Sequence, residues 1–142
     1  MSYLLDTNVI SESLKARPDP NVVRWLAAAD EDGLFLSVIT FAEVRKGIEE
    51  IGSGRRRDTL TMWLYEELAV RFEHRILDVN MAVASAWGKI MSQSNKRGIN
   101  LGPIDAFFAA TAETYALTFV TRNVKDFERL DIPLLNPWKA IN

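Results

Sequence analysis

The chain of 142 residues contains no cysteine and a single histidine, His74. The lack of cysteine excludes disulfide bonds, thiolate metal sites and a cysteine nucleophile. With one histidine, histidine-rich zinc sites and histidine-based catalytic triads are poor fits. No apolar run reaches the roughly 18 residues that span a membrane, and no basic start leads into a signal-peptide-like stretch. We therefore expect a cytoplasmic protein that does not associate with membranes.

The chain also lacks an excess of positive charge, since its net charge is −2 and its pI is about 5.5. Binding of nucleic acid through phosphate neutralisation would therefore need a local basic face or a metal ion. Arg55, Arg56 and Arg57 are a candidate for such a face, although a solvated start of a helix explains them equally well. Apolar residues make up 48% and charged residues 25% of the chain, which predicts one globular domain over residues 1–142.

Short apolar runs are followed by helical patterns from the first residues onward. Residues 3–5 predict a strand that ends at Asp6, and Thr7 and Asn8 are predicted to cap a helix over residues 9–14. Residues 34–38 predict a buried strand. The pattern from Thr40 to Glu43 predicts a capping box that opens a helix reaching residue 51.

The second half of the chain repeats this alternation. It predicts a long helix from Arg55 to about residue 72, a strand at 76–77, a helix capped by Asn80, a helix opened by Pro103, and strands at 117–121 and 133–135. The tryptophans Trp25, Trp63 and Trp87 lie on apolar helical stripes and are predicted core or interface residues. Alternating strands and helices predict an α/β fold with a parallel sheet covered on both faces.

Acidic and amide side chains follow three of the predicted strands or begin helices. Asp6 follows the first strand, Glu43 lies just after the second, Asp105 lies in the first turn of a helix, and Asn123 and Asp126 follow the strand at 117–121. Because the carboxyl ends of parallel strands share one edge, these side chains are expected to converge. Clustered carboxylates repel one another unless a cation holds them, and oxygen ligands alone favour Mg²⁺ or Mn²⁺.

Each of these residues also has a simpler explanation. Glu43 could complete the capping box with Thr40, and Asp105 could complement the dipole of its helix. Asp126 could be a solvated surface charge, and Thr7 could act only as a helix cap. The joint placement of the acids favours the metal site, with Thr7 supporting a ligand or contacting substrate.

Four segments carry a resemblance to a known family: residues 4–8 (LLDTN), 37–43 (SVITFAE), 105–112 (DAFFAATA) and 120–127 (VTRNVKDF). Together, in this order, they resemble PIN domains. They are most similar to the VapC-type toxins of bacterial toxin–antitoxin pairs, including the FitB-like branch. The resemblance covers essentially the whole chain.

This resemblance implies a three-layer α/β/α sandwich with a central parallel sheet, and a divalent-metal-dependent endoribonuclease that cuts structured or transfer RNA. It assigns Asp6, Glu43 and Asp105 as ligands of Mg²⁺ or Mn²⁺. The fourth acidic position of the family falls at Asn123, whose neutral oxygen would hold a second metal more weakly. Thr121 is the expected contact for water or phosphate in the site, and Asp126 is a weaker candidate for the same surroundings.

The resemblance also implies a homodimer and a cognate antitoxin, with operator DNA bound only through the antitoxin. Two alternatives stay open. A catalytically silent PIN module that acts in protein binding would be favoured by Asn123. A phosphatase of the haloacid dehalogenase type also begins with a strand ending in aspartate, but it needs an acid two residues later, where this chain has Asn8.

Overall fold

The computed structural model describes residues 1–139, and its centre is a parallel sheet of five short strands. The strands are β1 (Tyr3–Leu5), β2 (Leu34–Ser37), β3 (Ile76–Leu77), β4 (Thr118–Val120) and β5 (Leu134–Leu135). They lie in the order β3-β2-β1-β4-β5. Leu4 of β1 is paired with Phe35 on one side and with Phe119 on the other, so β1 is the central strand.

Helices connect the strands and cover both faces of the sheet. They are α1 (Thr7–Glu12), α2 (Pro20–Ala28), α3 (Val38–Glu50), α4 (Arg55–Met62), α5 (Ala69–Arg71), α6 (Met81–Lys96), α7 (Pro103–Thr114) and α8 (Val124–Phe127). The predicted α/β/α sandwich with a parallel sheet is therefore confirmed. No helix within residues 1–139 combines the length and the apolarity needed to cross a bilayer.

The two faces of the sheet carry separate apolar cores, because successive side chains of a strand point to opposite faces. Leu4 and Phe119 contribute to one core, which α6 and α7 complete. Leu5 and Val120 contribute to the other, which contains residues of α1, α2 and α3. The three tryptophans predicted as core residues, Trp25, Trp63 and Trp87, are partly buried against these cores.

The strand order creates a switch point between β1 and β4. The chain proceeds from β1 through β2 to β3 on one side, and β4 and β5 are then added on the other side of β1. Helices that leave the two central strands diverge to opposite faces at such a point, which opens a crevice at the carboxyl ends of the strands. The residues that directly follow these strands are Asp6 and Thr121.

The start of two helices differs from the sequence prediction. Helix α1 begins at Thr7, and Asp6 rather than Thr7 or Asn8 is its N-cap. Residue 38 opens α3 instead of ending β2, because the Ser37 side chain accepts a hydrogen bond from Ile39 N–H and so caps the helix. The predicted capping box of Thr40 and Glu43 is therefore wrong.

The predicted long helix from Arg55 is interrupted. Helix α4 ends at Met62, a π-helical segment spans Trp63–Leu68, and α5 follows with three residues. Leu64 and Leu68 of the π-helical segment are both buried. Caps elsewhere follow the prediction: Asn80 accepts a hydrogen bond from Val83 N–H, and Pro103 is the first residue of α7.

Candidate active site

Asp6 is the most buried carboxylate at the carboxyl edge of the sheet, with 8% of its surface exposed. Its Oδ1 accepts a hydrogen bond of 2.7 Å from Thr7 N–H, which makes it the cap of α1. Its Oδ2 accepts a hydrogen bond of 2.7 Å from the Thr121 hydroxyl and a longer one of 3.3 Å from the Asn8 amide. Both oxygens are thus held by the two elements that flank the switch point.

The Asn8 side chain has one satisfied and one unsatisfied end. Its Nδ2 donates to Asp6, while its Oδ1 is buried and has no hydrogen-bond partner among the described residues. A buried carbonyl oxygen without a donor is costly, by about 1–3 kcal/mol. The orientation of this amide is therefore set by the carboxylate of Asp6 and not by its own surroundings.

Glu43 is tied to helix α1 through Thr7. The Thr7 hydroxyl donates to Glu43 Oε1 at 2.6 Å, and the Thr40 hydroxyl lies 3.3 Å from the same Thr7 oxygen. Thr40 is fully buried, one turn before Glu43 on α3. The two threonines fix the glutamate side chain toward the N-terminus of α1, so its role is not that of a helix cap.

Asp105 lies in the first turn of α7, as predicted. Burial, followed by the charges of Asp126 and Glu43, raises the pKa of its carboxyl. Burial also raises the pKa of Asp6, to about 6, against the opposing hydrogen bonds from Thr121 and Thr7, and the charges of Glu43 and Asp105 add to the rise. The charge of Glu43 thus acts on both Asp6 and Asp105, and the charge of Asp105 acts on Asp6, so carboxylates from three separate elements lie near one another.

The residues after β4 enter the site in different ways. Thr121 is fully buried, and its hydroxyl both donates to Asp6 and accepts a 3.0 Å hydrogen bond from Asn123 N–H. Asn123 therefore contributes its backbone to this network, while its side chain is exposed and makes no capping bond to α8. Asp126 is exposed and acts on the site through its charge on Asp105.

The carboxylate oxygens of this site suit a hard divalent cation, although the side chains do not all point to one common position. Within residues 1–139, no three acidic or histidine side chains are arranged so that they could hold a metal ion as they stand. Burial and, to a smaller extent, neighbouring negative charges disfavour the ionised forms of Asp6 and Asp105, and a bound cation would offset both effects. Carboxylate oxygens without nitrogen or sulfur ligands fit Mg²⁺ or Mn²⁺.

A groove reaches one of these carboxylates, Glu43, and runs along α3 and α4. It has a volume of about 1050 Å³, and Thr7 and Glu43 line one part of it while Arg55 and Arg56 line another. Its walls are largely apolar and include Ile48, Leu60 and Trp63. A ligand that reaches the carboxylates from this side therefore passes apolar side chains and two guanidinium groups.

Two residues of this network were not predicted from the sequence to take part in it. Asn8 follows Asp6 by two positions, and Thr40 precedes Glu43 by three, or about one helical turn. Residues three apart lie on the same face of a helix, so the spacing of Thr40 and Glu43 was an available signal. Asn8 lies in the first turn after the cap Asp6, and its spacing of two gave no such signal. The contact from Thr7 to Glu43 joins residues far apart in sequence and had no local signal.

Comparisons with known proteins agree with one another. The family model described as PIN domain matches residues 3–133. Toxin FitB of Neisseria gonorrhoeae is 36% identical, over 95% of this chain and 97% of its own length. VapC ribonuclease Y4jK of Sinorhizobium fredii is 35% identical, over 96% and 97% respectively. A solved structure of FitAB bound to an IR36 DNA fragment superposes with a TM-score of 0.92, at 34% identity, over 99% of this chain and 98% of the matched chain.

Proposed function

The chain belongs to the PIN domain family, and on that premise we propose that it is a divalent-metal-dependent endoribonuclease, the toxin of a toxin–antitoxin pair, which hydrolyses RNA phosphodiester bonds. The observation that carries the proposal is that Asp6, Glu43 and Asp105 lie near one another at the carboxyl edge of a parallel sheet, where burial and, to a smaller extent, neighbouring negative charges raise the pKa values of Asp6 and Asp105. Relatives at 35% and 36% identity are named as a ribonuclease and a toxin, respectively.

In this proposal, Asp6, Glu43 and Asp105 hold one Mg²⁺ or Mn²⁺ ion. When bound, such an ion polarises a phosphodiester oxygen and lowers the pKa of a water molecule. Asn123 offers an exposed amide oxygen at the position after Thr121–Arg122, which suits a weak ligand or a contact to the substrate. Asp126 adds negative charge near Asp105 and thereby strengthens the preference of the site for a cation.

The remaining polar residues position the carboxylates. Thr121 and Asn8 hold Oδ2 of Asp6, and the Thr7 N–H holds Oδ1. The Thr7 hydroxyl in turn holds Glu43. Because the pKa of Asp6 is about 6 without a cation, its carboxyl is protonated in mildly acidic solution. A protonated carboxyl is a poor metal ligand. We expect activity to fall on the acidic side of neutrality for this reason.

The partners follow from the same family. We propose a homodimer of single-domain chains that is neutralised by a cognate antitoxin, with operator DNA bound through the antitoxin and not by the toxin itself. The net charge of −2 supports the last point, since it gives the chain little affinity for DNA of its own. The proposed domain covers residues 1–142, of which residues 140–142 lie outside the described part. RNA and antitoxin together suggest action in the cytoplasm.

The test is RNA cleavage by the purified protein in the presence of Mg²⁺ or Mn²⁺, with Asp6→Asn and Asp105→Asn as variants. We expect cleavage by the parent protein, its loss in EDTA, and a fall of 10²-fold or more in each variant, roughly the size expected when transition-state charge stabilisation is removed. Full activity in both variants would refute the site. A protein that binds no divalent ion at millimolar concentration in calorimetry, and cleaves nothing, would instead be a silent PIN module.

A further inference from the structure

The three consecutive arginines at the start of α4 differ in their surroundings. Arg57 forms an ion pair with Glu49 of α3 and so fastens the two helices together. Arg55 and Arg56 are exposed and line the groove that also contains Thr7 and Glu43. Neither has an ion-pair partner within residues 1–139. The sequence shows one basic run, but only two of its members are available to a ligand.

The positive charge of the groove is concentrated at these two residues. Lys15 also lines it, but its Nζ lies 2.8 Å from Glu12 Oε1, which neutralises it. Glu43, the acidic residue that lines the groove, repels a phosphodiester chain, so a substrate strand needs cations along the same path. Arg55 and Arg56 are the groove residues that meet this need, and guanidinium groups bind phosphate in a bidentate manner.

We propose that Arg55 and Arg56 form a phosphate-binding subsite, which holds the RNA strand next to the bond that is cut. The subsite rests on the proposed ribonuclease function and adds the path of the substrate to it. One phosphate lies at the carboxylates and neighbouring phosphates lie at the two arginines. The groove between them accepts unpaired nucleotides, because its apolar walls, including Leu60 and Trp63, can contact bases only when these are not stacked within a duplex.

The test is the double variant Arg55→Gln/Arg56→Gln, assayed for cleavage of a single-stranded RNA of defined sequence over a series of salt concentrations. We expect KM to rise roughly tenfold while kcat changes less than about twofold, because the arginines bind substrate away from the reacting atoms. The slope of log(kcat/KM) against log[salt] should become shallower by about 1.4, or about 0.7 for each of two lost phosphate contacts on a single strand.

The matched control is Arg24→Gln/Arg129→Gln, which removes the same charge from exposed positions that do not line the groove. Its KM and salt slope should stay close to those of the parent. Equal effects of the two double variants would overturn the subsite, because net charge alone would then explain the change. If the parent protein cleaves RNA and the groove variant has an unchanged KM, the subsite is overturned while the proposed function stands.

Binding of the same labelled RNA, measured by fluorescence anisotropy, separates the two proposals. Affinity that depends on Arg55 and Arg56 without any cleavage would retain the subsite and reject the nuclease function. Equal RNA affinity in the parent and the groove variant would reject the subsite. Loss of a co-expressed antitoxin from the groove variant, with RNA affinity unchanged, would show that the arginines serve a protein partner instead.

Discussion

The hydroxyl of Thr121 donates a hydrogen bond of 2.7 Å to Oδ2 of Asp6, across 115 residues of sequence. Both residues directly follow a strand, Asp6 after β1 and Thr121 after β4, and these strands are neighbours in the sheet. The bond therefore links the ends of the two strands between which the chain switches from one side of the sheet to the other. Because the donor favours the charged carboxylate, Thr121 lowers a pKa that burial raises.

Replacement of Thr121 by valine should therefore raise the pKa of Asp6 beyond about 6. A hydrogen bond to a charged group contributes about 1.5 kcal/mol or more, which corresponds to about one pH unit. We expect the acidic limb of the pH–kcat/KM profile to move to higher pH by about that amount. Thr121→Ser keeps the hydroxyl and should keep the profile. A limb that stays in place in the valine variant would show that Asp6 does not set it.

Asp6→Asn should stabilise the protein near neutral pH when no divalent ion is present. The folded state binds a proton at Asp6 with a pKa of about 6, against 3.8 for an unperturbed aspartate in the unfolded chain, so the free energy of unfolding falls as pH rises between these two values and is then constant. The difference corresponds to about 3 kcal/mol, an upper bound on the gain at neutral pH.

Urea denaturation in EDTA measures this effect. The gain of the Asp6→Asn variant should be largest at and above about pH 7 and should vanish below about pH 4, where the aspartate is protonated in both folded and unfolded states. A variant that is less stable than the parent at neutral pH would mean that burial of the charge costs little. Loss of the helix cap would not account for such a result, because asparagine caps α1 as well as aspartate does.

Features that depend only on residues close together in the sequence were predicted correctly. Asp105 lies in the first turn of α7, Asn80 caps α6 and Pro103 opens α7, because each depends only on the backbone groups of its own turn. The edge at which Asp6 and Glu43 meet followed from the parallel arrangement alone. The capping residue of α3 was missed because Ser37 and Thr40 are equally good N-cap residues, and packing of the helix against the sheet decides between them.

Contacts between distant segments had no signal of this kind. The bond from Thr7 to Glu43 depends on how α1 and α3 approach each other, and the pairing of Arg57 with Glu49 depends on the angle between α3 and α4. The π-helical segment Trp63–Leu68 likewise had no counterpart in the spacing of the apolar residues, which is that of an ordinary α-helix. The sequence was sufficient to place the acids at one edge, but the hydrogen bonds that orient them required the structure.

Thr7→Val should lower kcat more than it changes KM. The Thr7 hydroxyl holds Glu43 Oε1 at 2.6 Å, and without it the glutamate can turn away from Asp6 and Asp105. Loss of a residue that orients a ligand typically costs 10–100-fold, so we expect a fall of that order in kcat. Thr7→Ser retains the hydroxyl and should retain most of the activity. Equal kcat values for parent and valine variant would show that Glu43 is positioned by other contacts.

Divalent ions should stabilise the protein through the three carboxylates. A ligand that binds only the folded state adds about 2.7 kcal/mol when its concentration is 100 times its Kd. We therefore expect Mg²⁺ or Mn²⁺ to raise the Tm of the parent protein, with a much smaller rise in Asp105→Asn, which retains only Asp6 and Glu43 of the proposed ligands. Na⁺ at matched ionic strength serves as the control for screening. Because burial raises the pKa of Asp6 to about 6, its carboxyl is protonated at pH 5 and must lose that proton to bind the ion, so the rise in Tm should be larger at pH 8 than at pH 5. An equal rise at both pH values, or in both proteins, would contradict metal binding by these carboxylates.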